Sequence, residues 1–501
     1  MRTQQMQTRE ETDPRDGWTR RLAAGLLALA PLVTYSSTAV AETDRDAQAT
    51  TSRPSDEDIA AAVGRRLAGS FGENGGGLSA HADEGVVTLE GTASNLAIAR
   101  RAVDLAETVR GVRAVVSQVS VSPESSADDA TVVRNIRRAW LFDPATELLK
   151  LEASVNAGVA RLTGSVGSHA EKHLAEEVVA SIDGVVDIDN QIEVAYDERR
   201  TDREIHEELI GRLRSSVWID PERVSVEVND GDVTLKGEVE SAAARRRAYH
   251  LAWIAGVQNV NHDQLEVAGT RRDDAQRPGR HPFPPDEAVE RSLQAALQQD
   301  PRVDTSSVKV SVRNGTATLR GTVPTLQNKR AATRDARNTR GVWVVRNRLR
   351  VAPNARANDE DVGAQVNEAL ARDPFVNADF VRAAVIGGVA HLQGRVENEF
   401  DRRQAEKVTG SVRGVVEVLN ELVVDTSWQD VDDSSMAQRL HDELWWSPHI
   451  YSKTIDLKVI DGAVVLDGKV ESEFERRQVL RTIEDFGVRK IEDRLSVDRA
   501  P

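Results

Sequence analysis

The chain has 501 residues, which is too long for one hydrophobic core and predicts three or more domains, or an array of smaller ones. Lys and Arg total 65 against 81 Asp and Glu, and this net charge of −16 disfavours broad attraction to nucleic acid or anionic lipid, although a local basic patch stays compatible with it. Cysteine is absent, which excludes disulfides, thiolate metal sites, Fe–S clusters and cysteine nucleophiles. Aromatic residues make up only 4% of the chain, so we expect aliphatic cores.

The N-terminal segment has the three parts of a secretory signal. Arg20-Arg21 precede a mostly apolar run at 22–33, and Ala39-Val40-Ala41 then supplies the small-residue pattern of a cleavage site. The run is shorter than the roughly 20 apolar residues of a membrane-spanning helix. We therefore expect residues 1–41 to be a signal peptide cleaved after Ala41, and the mature protein to be soluble and periplasmic. An uncleaved anchor is the alternative.

The rest of the chain repeats one unit six times. Each copy carries a line such as DVTLKGEVE or TATLRGTVP, and the central glycine recurs at intervals of about 73 residues, widened to about 84 between copies 3 and 4. These anchor glycines are Gly91, Gly164, Gly237, Gly321, Gly394 and Gly468. A glycine six residues earlier marks a tight turn, as in Asn314-Gly315, and apolar residues alternate on both sides of it. Each copy thus contains a β-hairpin, and we attribute the anchor glycine to the close approach of a helix.

Two helices and a third strand complete each copy. Four residues after the anchor stands an N-cap residue, such as Ser241 or Thr325, and a helix of about fourteen residues should follow and stop at a third glycine in a left-handed C-cap. These third glycines are Gly111, Gly184, Gly256, Gly341, Gly414 and Gly487. Apolar residues at spacing four, such as Val289 and Leu293, predict an amphipathic first helix. One extra residue in NHDQLEV predicts a β-bulge in copy 3.

The whole unit resembles the BON (bacterial OsmY and nodulation) domain. A hairpin with a V-x-L-x-G-x-V exit is followed by a helix and then by G-V-x-x-V-x-N-x-L-x-V, which reads GVVDIDNQIEV from Gly184 and GVWVVRNRLRV from Gly341. The resemblance implies an α+β fold: a tandem array of six small αββαβ domains, each a three-stranded mixed sheet packed against two helices. We place the copies at 54–123, 126–196, 200–268, 286–352, 357–426 and 430–499. A linker rich in Pro and Gly at 269–285 should divide the chain three copies plus three.

The sequence offers weak support for catalysis or metal binding. His169 and His173 lie one helical turn apart, but the residues between them do not make H-E-x-x-H, so solvated side chains are favoured over a metal pair. The acidic clusters at 359–361 and 430–433 lack a D-x-D-x-D-G loop and indicate helix starts rather than calcium sites. Phosphate-loop, G-x-G-x-x-G and G-x-S-x-G motifs are absent from the sequence. We expect no enzyme, no catalytic residue, no metal and no cofactor.

A basic cluster recurs nine residues after the anchors, near the start of the second helix. The candidate anionic-surface contacts are Arg100, Arg246, Arg330, Arg403 and Arg477. Their recurrence in an acidic chain is compatible with a stripe that contacts lipid phosphates or other envelope polyanions. Solvated helix faces paired with nearby acids are favoured over that stripe. For Trp343 and Trp445-Trp446, core packing is favoured over a place at a membrane interface.

The resemblance implies an exported envelope protein linked to osmotic or envelope stress, in a family thought to attach to phospholipid surfaces. Its partners would be an anionic phospholipid surface or envelope proteins, with neither nucleic acid nor a small-molecule substrate involved. Six weak sites along one chain would add avidity. The alternative is a periplasmic chaperone or structural spacer that binds exposed protein segments. Potassium binding, suggested for some relatives, has no visible ligand set in this sequence.

Overall fold

The computed structural model describes residues 54–71, 77–123, 127–196, 200–268, 284–352, 358–397, 399–424, 432–484, 486, 488 and 490–497. All of them belong to one unit that spans Thr51–Pro501. The expected signal peptide, Gly487 and the linker residues 269–283 lie outside the described residues. Among the described residues, no helix combines the length and the apolar character needed to span a bilayer.

Every copy has the order helix, hairpin, helix, strand, which confirms the predicted unit. The first helices span Asp56–Phe71, Asp129–Phe142, Asp202–Ser215, Asp286–Gln299, Asp359–Arg372 and Asp433–Trp446. The second helices span Leu96–Glu107, His169–Ala180, Ala242–Ala252, Leu326–Arg337, Glu399–Ser411 and Glu473–Glu484. In copies 4 and 6 a short 3-10 turn, Thr305–Ser307 or Ser452–Thr454, precedes the hairpin.

The strands form one sheet in each copy. The first hairpin strands are Leu78–Asp83, Lys150–Asn156, Val224–Asn229, Val308–Arg313, Val381–Ile386 and Ile455–Ile460. The second are Val86–Ala93, Val159–Val166, Asp232–Val239, Thr316–Val323, Val389–Val396 and Ala463–Val470. The third are Ala114–Val121, Asn259–Val267, Val344–Val351 and Lys490–Val497, with two short pieces each in copies 2 and 5: Asp187–Asn190 with Glu193–Val194, and Glu417–Asn420 with Val423–Val424.

The second hairpin strand is the centre of each sheet. It pairs antiparallel with the first strand and parallel with the third, so that Gly321 of copy 4 lies opposite Val308 on one side and Leu349 on the other. This is the mixed sheet that the sequence predicts. In copy 3 the parallel register shifts between Asn261 and Gln264, which confirms the predicted bulge.

Both helices pack on one face of the sheet and bury aliphatic side chains. In copy 3, Leu209 of the first helix and Leu235 of the central strand are 1% and 0% exposed. Each such leucine contributes about 1.5–3 kcal/mol of transfer free energy. Ala244 and Ala248, also buried, let the second helix lie close to the sheet. The predicted aliphatic core is confirmed.

The anchor glycine is required by the backbone, and the expectation of a closely approaching helix is wrong. Gly237 has φ +114°, and a Cβ there would lie 2.0 Å from the carbonyl oxygen of Arg223, in the residue that precedes the first hairpin strand. The other anchors share the positive φ and a comparable clash with backbone oxygen. An L side chain is therefore both strained and obstructed at this position.

The ends of the second helix agree with the sequence at one terminus and differ at the other. The N-cap side chains accept a hydrogen bond from a first-turn amide, as Ser241 does from the N–H of Ala244 at 3.0 Å. The other observed caps are Asn95, Ser168, Thr325 and Ser472, and Asn398 lies outside the described residues. The helix ends before the third glycine, at Glu107 in copy 1, whereas Gly111 with φ +88° belongs to the turn that enters the third strand. The predicted C-cap position is therefore wrong, although the left-handed conformation is right.

An aspartate at the first position of each first helix holds the hairpin turn. In copy 3, the carboxylate of Asp202 accepts hydrogen bonds from the amides of Asp230 and Gly231, both at 2.9 Å. The equivalent aspartates are Asp56, Asp129, Asp286, Asp359 and Asp433. Helices begin at Asp359 and Asp433, as predicted for the acidic clusters, although residues 430 and 431 lie outside the described residues. The contact adds a bond between helix and turn that the charge of the helix terminus alone does not explain.

Candidate functional site: the junctions between second helices

The five candidate arginines lie where the second helix of one copy meets the second helix of another. Arg100 of copy 1 contacts copy 2, and Arg246 of copy 3 contacts copy 1. His173 of copy 2 lies beside His250 of copy 3, so copies 1, 2 and 3 meet head to tail in a closed order that we call ring A. Copies 4, 5 and 6 meet in the same order and form ring B. Its three contacts are Arg330 with Glu406, Arg403 with Glu484, and Arg477 near Arg337.

The junction between copies 1 and 2 centres on the carboxylate of Glu176. One of its oxygens accepts from Arg100 at 2.5 Å, and the other accepts from Asn190 of the third strand of copy 2 at 2.8 Å. Burial alone would raise the pKa of Glu176, but the hydrogen bond from Asn190 and the charge of Arg100 outweigh it and lower that pKa. The carboxylate thus ties the sheet of its own copy to the helix of the preceding one.

Ring B repeats this arrangement between copies 4 and 5. Arg330 pairs with the carboxylate of Glu406 and also donates to its backbone carbonyl at 2.9 Å. Asn420, the equivalent of Asn190, donates to the other oxygen of Glu406 at 3.3 Å. The separation of 76 residues between arginine and glutamate is the same in both rings. The two rings therefore share one ion-pair design.

Two further junctions use an acid at the last position of the second helix. Arg246 pairs with Asp104 and lies 3.1 Å from Glu107, whose pKa is raised by burial even though Arg246 opposes that shift. Arg403 lies 3.3 Å from Glu484 in copy 6. Glu107 and Glu484 occupy the same place in their copies, the last residue of the second helix.

The junction between copies 2 and 3 is made of histidines and aromatic rings. His169 stacks on Trp253 with ring centroids 3.8 Å apart, and His173 lies 4.8 Å from His250. Burial lowers the pKa of His169 to about 4, helped by the charge of Lys172, and burial with the charge of His173 does the same for His250. The expectation of a solvated side chain is therefore wrong for His169, which is partly buried against Trp253 of copy 3, and it holds for His173, whose side chain is 49% exposed. Within the described residues, no group of His, Asp and Glu is arranged to hold a metal ion.

The junction between copies 6 and 4 brings like charges together. Arg337 ends the second helix of copy 4, where Glu107 and Glu484 stand in copies 1 and 6. Burial and the charge of Arg477 lower the pKa of Arg337, while Glu473 offsets part of the effect. Each ring thus has two arginine–acid junctions and one exception.

The two rings also contact each other through an arginine that precedes the third glycine. Arg110 of copy 1 donates to the carbonyl oxygens of Trp445 at 2.7 Å and Ser447 at 3.1 Å in copy 6. Arg340 of copy 4 donates to the carbonyl oxygen of Ile219 in copy 3, and Arg413 of copy 5 donates to the carboxylate of Glu147 in copy 2, each in the turn after the first helix. Trp446 is 8% exposed at such a contact, and Arg110 lies over the ring of Trp445 at 5.0 Å. These tryptophans do pack, but between copies.

Four of the five candidate arginines are therefore engaged in contacts between copies, and Arg477 lies near Arg337 instead. Arg100 and Arg246 are each 37% exposed, and four of the five pair with an acid of another copy. A lipid phosphate at the four paired arginines would compete with an acid of another copy, and the anionic-surface role stays a prediction. Sequence reasoning missed the partners because each acid lies in a different copy. The signal that could have found them is the constant spacing of arginine and acid around two of the junctions.

Comparison with known proteins agrees with this architecture. The profile of the BON domain matches residues 55–123, 128–196, 201–269, 285–353, 358–426 and 432–499. The chain is 30% identical over 121 residues to the osmotically-inducible protein Y of Escherichia coli (strain K12), a match that covers 23% of this chain and 60% of that protein. The chain therefore spans less than two thirds of that relative's length.

Two similar solved structures are of CdsD, a structural protein of the type III secretion system of Chlamydia trachomatis. One, of its C-terminal domain, is 17% identical, covers 41% of this chain and 96% of its own, and has a TM-score of 0.12. The other is 16% identical, covers 47% of this chain and 97% of its own, and has a TM-score of 0.13.

Proposed function

The chain belongs to the BON-domain family, and from that premise we propose that it is a non-catalytic envelope protein of the osmotic or envelope stress response that binds anionic phospholipid surfaces. The observation that carries the proposal is the presence of six BON domains together with the similarity to an osmotically-inducible protein. The apparent secretory signal before the first copy supports an envelope location.

The arrangement of the copies suits a binding role. The second helices face one another at the junctions, so the sheets turn the side opposite the helices to solvent, as the exposed alternate residues of the strand Val344–Val351 show. One chain thus presents several copies of one surface in fixed relative positions, and several weak contacts can act together. The residues on the solvent-facing side of the sheet differ from copy to copy, so these surfaces differ in charge.

A chaperone or spacer role is the second candidate. The end of the first helix of copy 2 and the turn that follows it expose three apolar side chains: Leu141 is 63% exposed, Phe142 44% and Leu148 87%. Clustered apolar residues on a protein surface commonly bind apolar segments of other proteins. This patch favours a client-binding role over a purely mechanical one.

Flotation with liposomes tests the first proposal. We expect the chain Glu42–Pro501 to float with vesicles that contain phosphatidylglycerol at low salt, to float less at high salt, and not to float with pure phosphatidylcholine, because exposed basic groups attract an anionic surface only over a Debye length. Absence of flotation with any vesicle would overturn lipid binding.

Two further measurements bear on the setting and on the alternative. Fractionation of cells before and after an osmotic upshift should find the protein in the envelope fraction and at a higher level after the upshift; a cytosolic protein at a constant level would contradict the proposal. Suppression of the thermal aggregation of a client enzyme, lost in a Leu141→Ser/Leu148→Ser variant, would favour the chaperone role instead.

A further inference from the structure

The outward side of the sheet of copy 4 carries six cationic side chains. They belong to all three strands and define what we call the copy 4 sheet face: Lys309, Arg313, Arg320, Arg346, Arg348 and Arg350. Each is exposed, whereas the residues that alternate with them, such as Leu319 and Leu349, are buried against the helices. Strand alternation therefore places these charges together on one side.

The strand register spreads these charges in two directions. Lys309 lies opposite Arg320, which lies opposite Arg348, so one row crosses the sheet at about 4.8 Å per strand. Arg346, Arg348 and Arg350 are alternate residues of one strand and stand about 6.6 Å apart along it. The result is a two-dimensional set of positive charges.

In the part of the chain that the structure describes, no acid neutralises these charges. Among the described residues, none of the six takes part in an ion pair, in contrast to Arg100 or Arg330 at the junctions. The other outward residues of the described strands are neutral: Ser311, Thr316, Thr318, Thr322 and Val344. Like charges at these separations repel, so a counter-anion is favoured there.

Among the described strands of the six copies, this concentration of positive charge is specific to copy 4. The equivalent face of copy 2 carries Asp187, Asp189 and Glu193 on its third strand, and that of copy 3 carries Glu227, Glu238 and Glu266. Copy 6 mixes three lysines with acids. The fold needs no basic residue on this side of the sheet. The concentration of positive charge in one copy of a chain with net charge −16 therefore points to a ligand.

We propose that the copy 4 sheet face is the surface through which this protein contacts an anionic phospholipid bilayer, an inference that rests on the proposed function. A planar array of phosphates meets both rows of charges at once, whereas a linear polyanion follows only one row. The outward residues of these described strands include no aromatic side chain on which nucleobases could stack. The intervening hydroxyls of Thr318 and Thr322 can donate to phosphate oxygens.

Charge reversal on this face provides the test. In cosedimentation with vesicles of phosphatidylglycerol and phosphatidylcholine, we expect Arg346→Glu/Arg348→Glu/Arg350→Glu to bind on the order of a hundredfold more weakly than the unchanged chain. The matched control is Lys458→Glu/Lys469→Glu/Lys490→Glu, which alters the net charge equally on the exposed face of copy 6 and should bind within about threefold of the unchanged chain. Unchanged circular dichroism, and a parallel triple Arg→Gln variant with a smaller loss, separate binding from folding.

The outcomes distinguish the two proposals. If the unchanged chain binds vesicles and both triple variants bind equally well, the assignment of the copy 4 sheet face is wrong and lipid binding stands. If the unchanged chain binds no vesicle, the proposed function itself is wrong. Tight binding of an oligonucleotide or a sulfated polysaccharide through the same arginines, without vesicle binding, would overturn the choice of a bilayer.

Discussion

Arg100 and Glu176 join two copies through a hydrogen-bonded ion pair of 2.5 Å, and the same carboxylate is held from behind by Asn190 at 2.8 Å. A double-mutant cycle with Arg100→Ala and Glu176→Ala should give a coupling free energy of about 0.5–1 kcal/mol, a modest value because both side chains are partly exposed. The measurement is chemical denaturation of each variant.

The control cycle uses Arg161 and Asp189, which pair at 2.8 Å within copy 2 and are 64% and 32% exposed. Because that pair joins two strands already hydrogen-bonded to each other, we expect its coupling to be near zero. A coupling at the control site as large as that between copies would contradict a special role for the junction.

The like-charged junction between copies 6 and 4 predicts a stabilising substitution. Arg337→Glu places an acid where Glu107 and Glu484 already meet their arginines, and it should raise the free energy of unfolding by about 0.5–1 kcal/mol by removing repulsion with Arg477 and adding an attraction. Thermal unfolding of Arg337→Gln, which removes only the repulsion, should give a smaller rise. A lower midpoint for both variants would show that ring B does not close as described.

The histidine junction predicts a loss of stability in acid. The pKa of His169 and that of His250 are about 4 in the folded chain and 6.5 as the ordinary value, so the unfolded chain takes up the protons first as the pH falls. The stabilisation is complete above pH 6.5 and declines down to about pH 4. We expect about 1 kcal/mol per histidine, less than full linkage, because solvent reaches both rings.

Urea denaturation at pH 7.5 and pH 5.0 checks this. The charged neighbours Lys172, Arg246 and Arg247 favour the neutral rings, and Glu177 opposes them at His250. His169→Gln/His250→Gln should reduce the difference in stability between the two pH values, whereas His81→Gln, on an exposed strand position of copy 1, should leave it unchanged. Equal pH dependence in all three proteins would refute the assignment.

Two glycines of copy 3 should respond in opposite ways to alanine. Gly237→Ala introduces a Cβ 2.0 Å from a carbonyl oxygen at φ +114°, and we expect a loss of about 3 kcal/mol or more. Gly211→Ala lies in the first helix with nothing within 4 Å, and we expect a gain of about 0.5–1 kcal/mol. Thermal unfolding of both variants measures the contrast, and similar effects would be inconsistent with the backbone role of the anchor.

The repeat itself was predictable because its determinants are local. The turn at Gly231, the cap at Ser241 and the alternation around Leu235 each act within a few residues. The reason for the anchor glycine was not predictable, because the carbonyl of Arg223 that obstructs it lies just before the paired strand Val224–Asn229, whose register must be known first. A free basic stripe stayed compatible with the sequence because Arg100 and Glu176 lie 76 residues apart and nothing in one copy shows that they meet.

The copy 4 sheet face was not predicted from the sequence for a different reason. Arg346, Arg348 and Arg350 alternate with buried positions, a pattern visible in the printed sequence. A search for what the six copies share passes over such a feature, because it occurs in one copy only. Features common to repeats indicate the fold, and differences between repeats indicate where one copy has acquired its own task.

The aspartate that holds each hairpin turn has a consequence for how the copies can diverge. Asp202 and its equivalents accept hydrogen bonds from backbone amides, and the anchor glycines are required because a Cβ would clash with a backbone oxygen. Neither feature depends on which side chains the strands carry outward. A copy can therefore exchange its whole solvent-facing side, acidic in copy 3 and basic in copy 4, without disturbing its neighbours. Duplication of such a unit gives copies with the same backbone contacts, and the solvent-facing side chains of each copy can then change independently of the other copies.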